Sequence, residues 1–194
     1  MRCKVLLWLF LVVLVPCGIS AQDFAVKTNL LYDATATINL GAEYKLAPKW
    51  TVDLSGNYNN WNFSHGRRWK HWFLQPEARY WLCESFGGHF LGLHMQGGKF
   101  NIGNLDNGLA FLGTHFSKLS DERYQGWFLG MGLGYGYSWI LNRHWNVEAE
   151  LGFGYNFTKS DRYPCADCGD KIESGKKHHY MGPTKAALNL VYQF

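Results

Sequence analysis

Apolar and polar or small residues alternate one by one through long stretches of this chain, and this pattern constrains its fold more than any other feature. The clearest stretch has large apolar residues at every second position: Trp127, Leu129, Met131, Leu133, Tyr135, Tyr137 and Trp139. Successive side chains of a β-strand point to opposite faces of the sheet. The pattern therefore predicts a strand with one apolar and one polar or small-residue face, and an all-β fold where it recurs.

Eight segments carry this alternation. They fall near residues 25–33, 37–45, 50–58, 72–82, 90–100, 127–139, 145–157 and 184–194. The connections near Pro48, 84–88 and 142–144 are short, whereas those near 60–70, 101–125 and 159–179 are long. An even strand number with short turns on one side and long loops on the other is typical of bacterial outer-membrane barrels. We therefore expect an eight-stranded antiparallel transmembrane up-and-down β-barrel, with the short turns on the periplasmic side.

The last segment, Thr184 to Phe194, supports a membrane location. Its apolar face carries Ala186, Leu188, Leu190 and Tyr192, and its polar face carries Lys185, Asn189 and Gln193. The segment is similar to the closing strand of outer-membrane barrels, a class in which a terminal aromatic residue is the signal for the insertion machinery. We predict this role for Phe194. A soluble β-sandwich or lipocalin-like barrel is the alternative, but the polar faces here hold Gly, Asn, Glu and Gln and lack a dense Lys/Glu surface.

The N-terminal residues have the features of a secretory signal. Arg2 and Lys4 precede an apolar stretch, and Ile19-Ser20-Ala21 is a small-residue cleavage site. We predict a signal peptide at 1–21 and a mature barrel at 22–194 in the outer membrane of a Gram-negative bacterium. Acylation of Cys17 is the alternative, although Pro16 is a poor residue before a lipoprotein cysteine. Removing the signal leaves 17 basic and 15 acidic residues, a balance that argues against a nucleic-acid partner.

Tryptophans cluster near the predicted strand ends, as in the aromatic girdles of membrane barrels. Those placed near the short turns are Trp50, Trp81, Trp139 and Trp145, and those placed near the long loops are Trp61, Trp69, Trp72 and Trp127.

Charged residues of both signs fall at one depth on the polar faces. They are Lys27, Glu43, Asp53, Glu77, Arg79, Glu148 and Glu150. An eight-stranded barrel has room inside only for side chains, and enclosed charges must pair or stay hydrated. We predict a salt-bridge network centred on Arg79 that closes the lumen. The alternative, Glu148 and Glu150 as an acid and base pair, needs substrate access that a closed lumen does not give.

Glycines fill the polar face of the sixth segment at Gly130, Gly132, Gly134 and Gly136. We expect them to make room for bulky inward side chains, or to allow strong curvature of the strand. The bulky candidates are Phe73, Trp81, Phe90 and Phe128. A cavity for a lipid tail is the alternative.

Two cysteines in the last long connection, Cys165 and Cys168, lie about ten residues before His178 and His179. Cysteines at this spacing can bind zinc together with histidines, but an oxidising compartment favours a local disulfide. We predict the disulfide and no metal. Cys83, near a short turn, is left over as a free or buried thiol.

His115 and Ser117 form the one arrangement in the sequence that resembles a nucleophilic site. At i and i+2 in an extended segment they face the same way, as a general base and nucleophile require. The His-x-Ser spacing is similar to that of outer-membrane lipid A deacylases, also eight-stranded barrels. That family continues with Asn, whereas this chain has Lys118. The main prediction is therefore no catalytic residue and no cofactor, with a lipid A deacylase-like enzyme as the alternative.

The whole mature chain resembles the family of small bacterial outer-membrane barrels known as domain of unknown function 3575. The resemblance is carried by residues 26–34, 39–44, 48–50, 75–81 and 130–137. It implies a barrel without an established activity, often encoded near fimbrial subunits. We accordingly expect a non-enzymatic role in surface interaction or envelope integrity. The expected partners are outer-membrane lipid and lipopolysaccharide, the barrel-insertion machinery, and a surface or fimbrial protein.

Overall fold

The computed structural model describes residues 23–61, 68–103, 122–164 and 170–194, which contain eight strands. The strands are β1 Phe24–Asn29, β2 Ile38–Ala47, β3 Trp50–Asn59, β4 Arg68–Trp81, β5 Gly88–Gly103, β6 Arg123–Ile140, β7 Trp145–Tyr163 and β8 Glu173–Gln193. Each strand pairs antiparallel with the next, and β8 pairs with β1 to close the barrel. The predicted all-β architecture of eight antiparallel strands is confirmed.

The first predicted segment differs from the structure at its end. Strand β1 stops at Asn29, and one helical turn, α1 (Leu30–Asp33), follows. The Asn29 side chain caps this turn, because its Oδ1 accepts a 3.1 Å hydrogen bond from the backbone N–H of Leu31. The turn directs Tyr32 against the apolar side chains inside the barrel.

Strands β7 and β8 extend well beyond their predicted limits. Residues 159–163 and 173–179, expected in the long connection, pair with one another, as in Lys159 opposite Lys177. Both faces of this extension are polar, so it carries no hydrophobic alternation that would reveal a strand. An ion pair joins the two strands here, Arg162–Glu173 at 3.8 Å, and Lys171 of the connection contacts Asp161 at 2.6 Å. The connection between β7 and β8 is therefore only 164–172.

Pro76 interrupts the pairing of β4 on one side only. It lies opposite Leu54 of β3, but the β4–β5 pairs step from Leu74–Gly97 to Glu77–His94 without a change of register. The gap has a simple cause, because proline has no backbone N–H to donate.

The two faces of the barrel have opposite chemistry. Large apolar residues stand exposed on the outside, among them Leu133 at 69%, Leu40 at 67% and Phe153 at 63% exposure. The interior has an apolar layer towards the long connections, formed by Phe73, Phe100, Ile102 and Phe128. A second apolar layer near the short turns contains Ala25, Trp81, Phe86, Phe90 and Val191. Charged side chains lie between these layers.

Two tryptophans differ from the predicted girdle positions. Trp81 is fully buried inside the barrel, and Trp69 packs against the interior Phe73 layer. Both occupy inward positions of β4, so the alternation of faces along the strand, and not nearness to the strand end, decides where these two side chains lie.

Within the described residues no helix is both long and apolar enough to cross a bilayer.

Candidate functional site

Eight buried charged side chains meet inside the barrel and form what we call the lumen cluster. Its members are Lys27 of β1, Glu43 of β2, Asp53 of β3, Glu77 and Arg79 of β4, Glu148 and Glu150 of β7, and Lys185 of β8. All occupy inward positions of their strands and are at most 7% exposed. The seven residues predicted from the sequence are thus brought together, with Lys185 added.

Arg79 lies at the centre of the lumen cluster and contacts four carboxylates. Its Nε donates to Glu77 at 3.0 Å, and its Nη2 donates to Glu150 at 2.9 Å. Its Nη1 is shared between Glu43 at 2.9 Å and Glu148 at 3.0 Å. A planar guanidinium with five N–H donors can bridge several carboxylates in this way, which a lysine cannot do.

Lys27 neutralises the side of the lumen cluster formed by β1 to β3. It donates to Glu43, and its Nζ lies 3.4 Å from Asp53 Oδ1 and 3.6 Å from Glu148 Oε2. Asp53 lies 4.0 Å from Arg79 Nη2, so it contacts the arginine more loosely than the four glutamates do. One lysine and one arginine therefore share the carboxylates on this side.

Lys185 neutralises the opposite side and is the member that the sequence prediction omitted. It donates to Glu77, and its Nζ lies 2.9 Å from Glu150 Oε2. The sequence does place Lys185 on the polar face of the last strand, and this position could have identified it as an inward charge. Its distance from the end of the last strand concealed it, because Lys185 lies nine residues before Phe194 and so well above the depth at which the other charges fall in the sequence.

Uncharged side chains fix the orientation of the cluster. Thr51 donates to Glu43, and the indole N–H of Trp81 donates to the Thr51 hydroxyl at 2.9 Å. The Phe90 ring centroid lies 4.5 Å from the guanidinium carbon of Arg79. These contacts hold Glu43 and Arg79 in place, because hydrogen bonds are strong in a buried network. One oxygen each of Asp53, Glu148 and Glu150 has no hydrogen-bond partner among the described residues.

The composition of the cluster favours closure over catalysis. It contains five carboxylates and three cations, and the cavity that Lys27, Asp53 and Lys185 line together has a volume of about 20 Å³, enough for one water molecule. Both Glu148 and Glu150 are engaged by Arg79, so neither is presented to an open space. The geometry therefore gives no support to the acid and base alternative.

The inward glycines of β6 accommodate side chains from neighbouring strands. A Cβ at Gly136 would lie 2.3 Å from Phe90, as the expectation of bulky aromatic neighbours requires. A Cβ at Gly134 would lie 2.6 Å from a Glu150 oxygen. The glycines thus make room for the lumen cluster as well as for aromatic rings, which the sequence alone did not indicate.

A buried histidine adjoins the cluster and was not singled out from the sequence. His94 Nε2 and the Thr184 hydroxyl are hydrogen-bonded at 2.8 Å, and both side chains are buried.

Another interior cavity, of about 150 Å³, lies towards the long connections and is lined in part by Tyr32, Phe73 and Phe128. Its lining is partly aromatic and partly polar, with Thr35, Thr37, Gln96 and Thr184, and its volume is below the roughly 300 Å³ at which ligand pockets begin.

The remaining predicted residues are placed as follows. Phe194 is 48% exposed and packs against Phe24 and Tyr192, with ring centroids 5.6 and 5.2 Å apart. Cys83 is exposed and free. Cys165, Cys168, His115 and Ser117 lie outside the described residues, as does the predicted signal peptide at 1–21. Their roles stay predictions.

Comparison with known proteins gives one positive result. No curated protein and no solved structure matches this chain. A family model, described as protein of unknown function (DUF3575), matches residues 7–194, almost the whole sequence. This match agrees with the resemblance drawn from the strand motifs, and the chain belongs to the DUF3575 family.

Proposed function

We propose that this protein is an integral outer-membrane β-barrel of a Gram-negative bacterium, with a non-enzymatic role in surface interaction or envelope integrity. One observation carries the proposal: a closed barrel with an exposed apolar exterior encloses eight buried charges. A soluble barrel has the reverse arrangement, with apolar residues inside and charges in water.

The exterior is too apolar for water. Exposed leucine, methionine, phenylalanine and tyrosine side chains follow one another along β6 and β7, as at Met131, Leu133, Leu151 and Phe153. Contiguous apolar patches beyond a few hundred Å² mark surfaces that other molecules cover. Because the apolar positions recur on adjacent strands around the barrel, the natural covering is the hydrocarbon of a bilayer.

Aromatic side chains at both ends of the exterior support the same proposal. Trp50, Trp139 and Trp145 are 40–48% exposed near the short turns. Trp72 and Trp127 are 44% and 40% exposed towards the long connections. Tryptophan prefers the boundary between headgroups and hydrocarbon, so these two groups fit the two membrane interfaces.

The orientation follows from the lengths of the connections. Short periplasmic turns and longer external loops are usual in these barrels. The connections near 60–70 and 101–125 and the β7–β8 hairpin would then face the exterior. There they could contact a surface or fimbrial protein, while the barrel wall contacts lipid and lipopolysaccharide and Phe194 serves the insertion machinery.

Cell fractionation tests the location. We expect the protein in the sarkosyl-insoluble outer-membrane fraction, with faster gel migration before boiling than after. Recovery in the soluble periplasmic fraction would contradict the proposal.

Mass spectrometry of lipid A tests the non-enzymatic role. We expect the same acyl chains in cells with and without the gene. A missing acyl chain that depends on the gene and is restored on changing Ser117→Ala would instead support the deacylase-like alternative with His115 and Ser117.

A further inference from the structure

A groove of about 520 Å³ opens on the barrel wall at the long-connection end of β3 to β7. Its lining includes Tyr58 of β3, Lys70 and Trp72 of β4, Lys99 of β5, and Trp127 of β6. The exposed positions of Trp72, Lys99 and Trp127 alternate with the buried interior positions, so these side chains lie on the outer face. The groove is therefore accessible from the surroundings of the barrel.

Two cations in this groove lack a counter-charge. Neither Lys70 nor Lys99 forms an ion pair with any residue in the described ranges. The groove also contains Asp161, but this carboxylate accepts hydrogen bonds from Lys171 at 2.6 Å and from the Gly175 N–H at 2.7 Å. Its charge is already compensated, so the groove as a whole attracts anions.

The groove continues directly into the apolar exterior. Lys99 lies between Trp72 and Trp127 in the strand pairing, and Leu74 and Leu129 follow two residues further along their strands. Two residues of a strand span about 7 Å. An anion held by Lys99 could therefore be the headgroup of a molecule whose hydrocarbon chains run along these leucines.

Amide side chains add a second kind of contact. Asn101 and Gln125 lie opposite each other on β5 and β6 and both line the groove. Asn101 Oδ1 is buried and has no hydrogen-bond partner among the described residues. Amides donate to and accept from sugar hydroxyls, which a simple phospholipid headgroup does not offer in number.

We propose that the groove binds the phosphorylated headgroup of an outer-leaflet glycolipid, with Lys70 and Lys99 on phosphate and Asn101 and Gln125 on sugar hydroxyls. This inference rests on the proposed outer-membrane location and assigns a binding site to the expected lipid partner. Lysine is suited to phosphate as a compact charge with three donors.

Lipid binding by the protein refolded in neutral detergent tests the site. We expect bisphosphorylated lipid A to bind about tenfold or more tightly than its dephosphorylated form, and the variant with Lys70→Gln and Lys99→Gln to lose about tenfold in affinity. Native mass spectrometry with titrated lipid measures both. Gln125→Ala should weaken lipid A and leave phosphatidylglycerol unchanged.

A matched control removes the same charge elsewhere. Lys176→Gln with Lys177→Gln takes two exposed lysines from β8 that do not line the groove, and we expect wild-type affinity. Equal loss in this control, equal binding of phosphatidylglycerol, or saturation by inorganic phosphate alone would overturn the inference.

The assay separates the two proposals. Each variant is first shown to migrate as a folded barrel and to fractionate with outer membranes. Variants that pass this test but bind lipid A as wild type refute the glycolipid site alone, whereas a wild-type protein absent from outer membranes refutes the proposed function.

Discussion

Arg79 is the residue on which the lumen cluster depends most. It is fully buried and lies within 3.0 Å of oxygens from four glutamates on three strands. Burying a charge is costly, and the cost is offset only while its partners stay in place. The strands that carry these glutamates, β2, β4 and β7, lie on different sides of the barrel, so Arg79 links opposite walls.

Replacing Arg79 should therefore destabilise the barrel strongly. Arg79→Ala leaves five buried carboxylates to only two lysines, Lys27 and Lys185, and breaking a buried pair costs about 3–5 kcal/mol. Arg79→Lys keeps the charge but cannot bridge four carboxylates, so we expect an intermediate loss. The urea midpoint of unfolding, followed by heat-modifiable gel migration, measures both.

The control for this experiment is Lys177→Ala, which removes one exposed cation from β8. We expect its midpoint to match that of wild type. An unchanged midpoint in Arg79→Ala would show that the cluster does not support the fold.

At the scale of the element, the glycine face of β6 sets how closely β5 and β7 side chains approach. A Cβ at Gly136 would meet Phe90 Cζ at 2.3 Å and the Ala149 carbonyl at 2.8 Å. Gly136→Ala should lower the urea midpoint, because overpacking a filled interior costs about 1–3 kcal/mol. Adding Phe90→Leu should recover part of the loss.

Gly56→Ala on β3 is the matched substitution on the outer face. Its Cβ would lie 3.5 Å from Leu74 Cδ2, an ordinary contact. We expect no loss of stability there. Equal losses at Gly56 and Gly136 would mean that backbone freedom, and not interior space, explains the glycines.

The polar extension of β7 and β8 depends on Asp161, which lies beyond the apolar exterior. Hydrogen bonds from Lys171 and from the Gly175 N–H hold the pKa of Asp161 below its ordinary value of 3.8. A lowered pKa means that the carboxylate stabilises the hairpin above pH 3.8, and that this contribution is lost as the pH falls through the lowered pKa.

Carbon-13 NMR of the Asp161 carboxyl group tests this dependence. The midpoint should lie below 3.8 in wild type and rise in Lys171→Gln, where the strongest cause of the shift is removed. Lys177→Gln should leave it unchanged. Identical midpoints in wild type and Lys171→Gln would contradict the assigned contact.

The elements differ in how far the sequence could predict them. Alternation predicted all eight strands, because one face of each is apolar over many residues. It could not predict α1, where Asn29 caps a turn whose Leu30 and Leu31 continue the apolar run. Nor could it predict the β7–β8 extension, where both faces are polar.

The lumen cluster was predictable for a related reason. Strand parity identifies the inward charges, and seven of its eight members were selected from position alone. Lys185 was missed because the stagger of neighbouring strands and the reach of a long side chain decide which residues meet. Lys185 lies opposite Gly152, yet its Nζ reaches Glu150 and Glu77.

At the scale of the whole molecule, the interior and exterior are mutually dependent. The closed ring pairs each strand with two neighbours, so the backbone hydrogen bonds of the strands are made within the barrel. The buried charges then tie different walls of the barrel together. Under the outer-membrane location that we propose, a bilayer covers the apolar exterior and makes both faces stable.

Spin-label accessibility along β6 tests this account most directly. Single cysteines replace Leu129, Met131, Leu133, Tyr135 and Trp139, in a protein whose native cysteines are changed to serine and which is reconstituted in lipid bilayers. We predict that accessibility to oxygen is greatest near Leu133 and falls towards both ends, while a water-soluble nickel complex shows the opposite profile. Uniform access of the nickel complex to all five positions would contradict the membrane-spanning barrel.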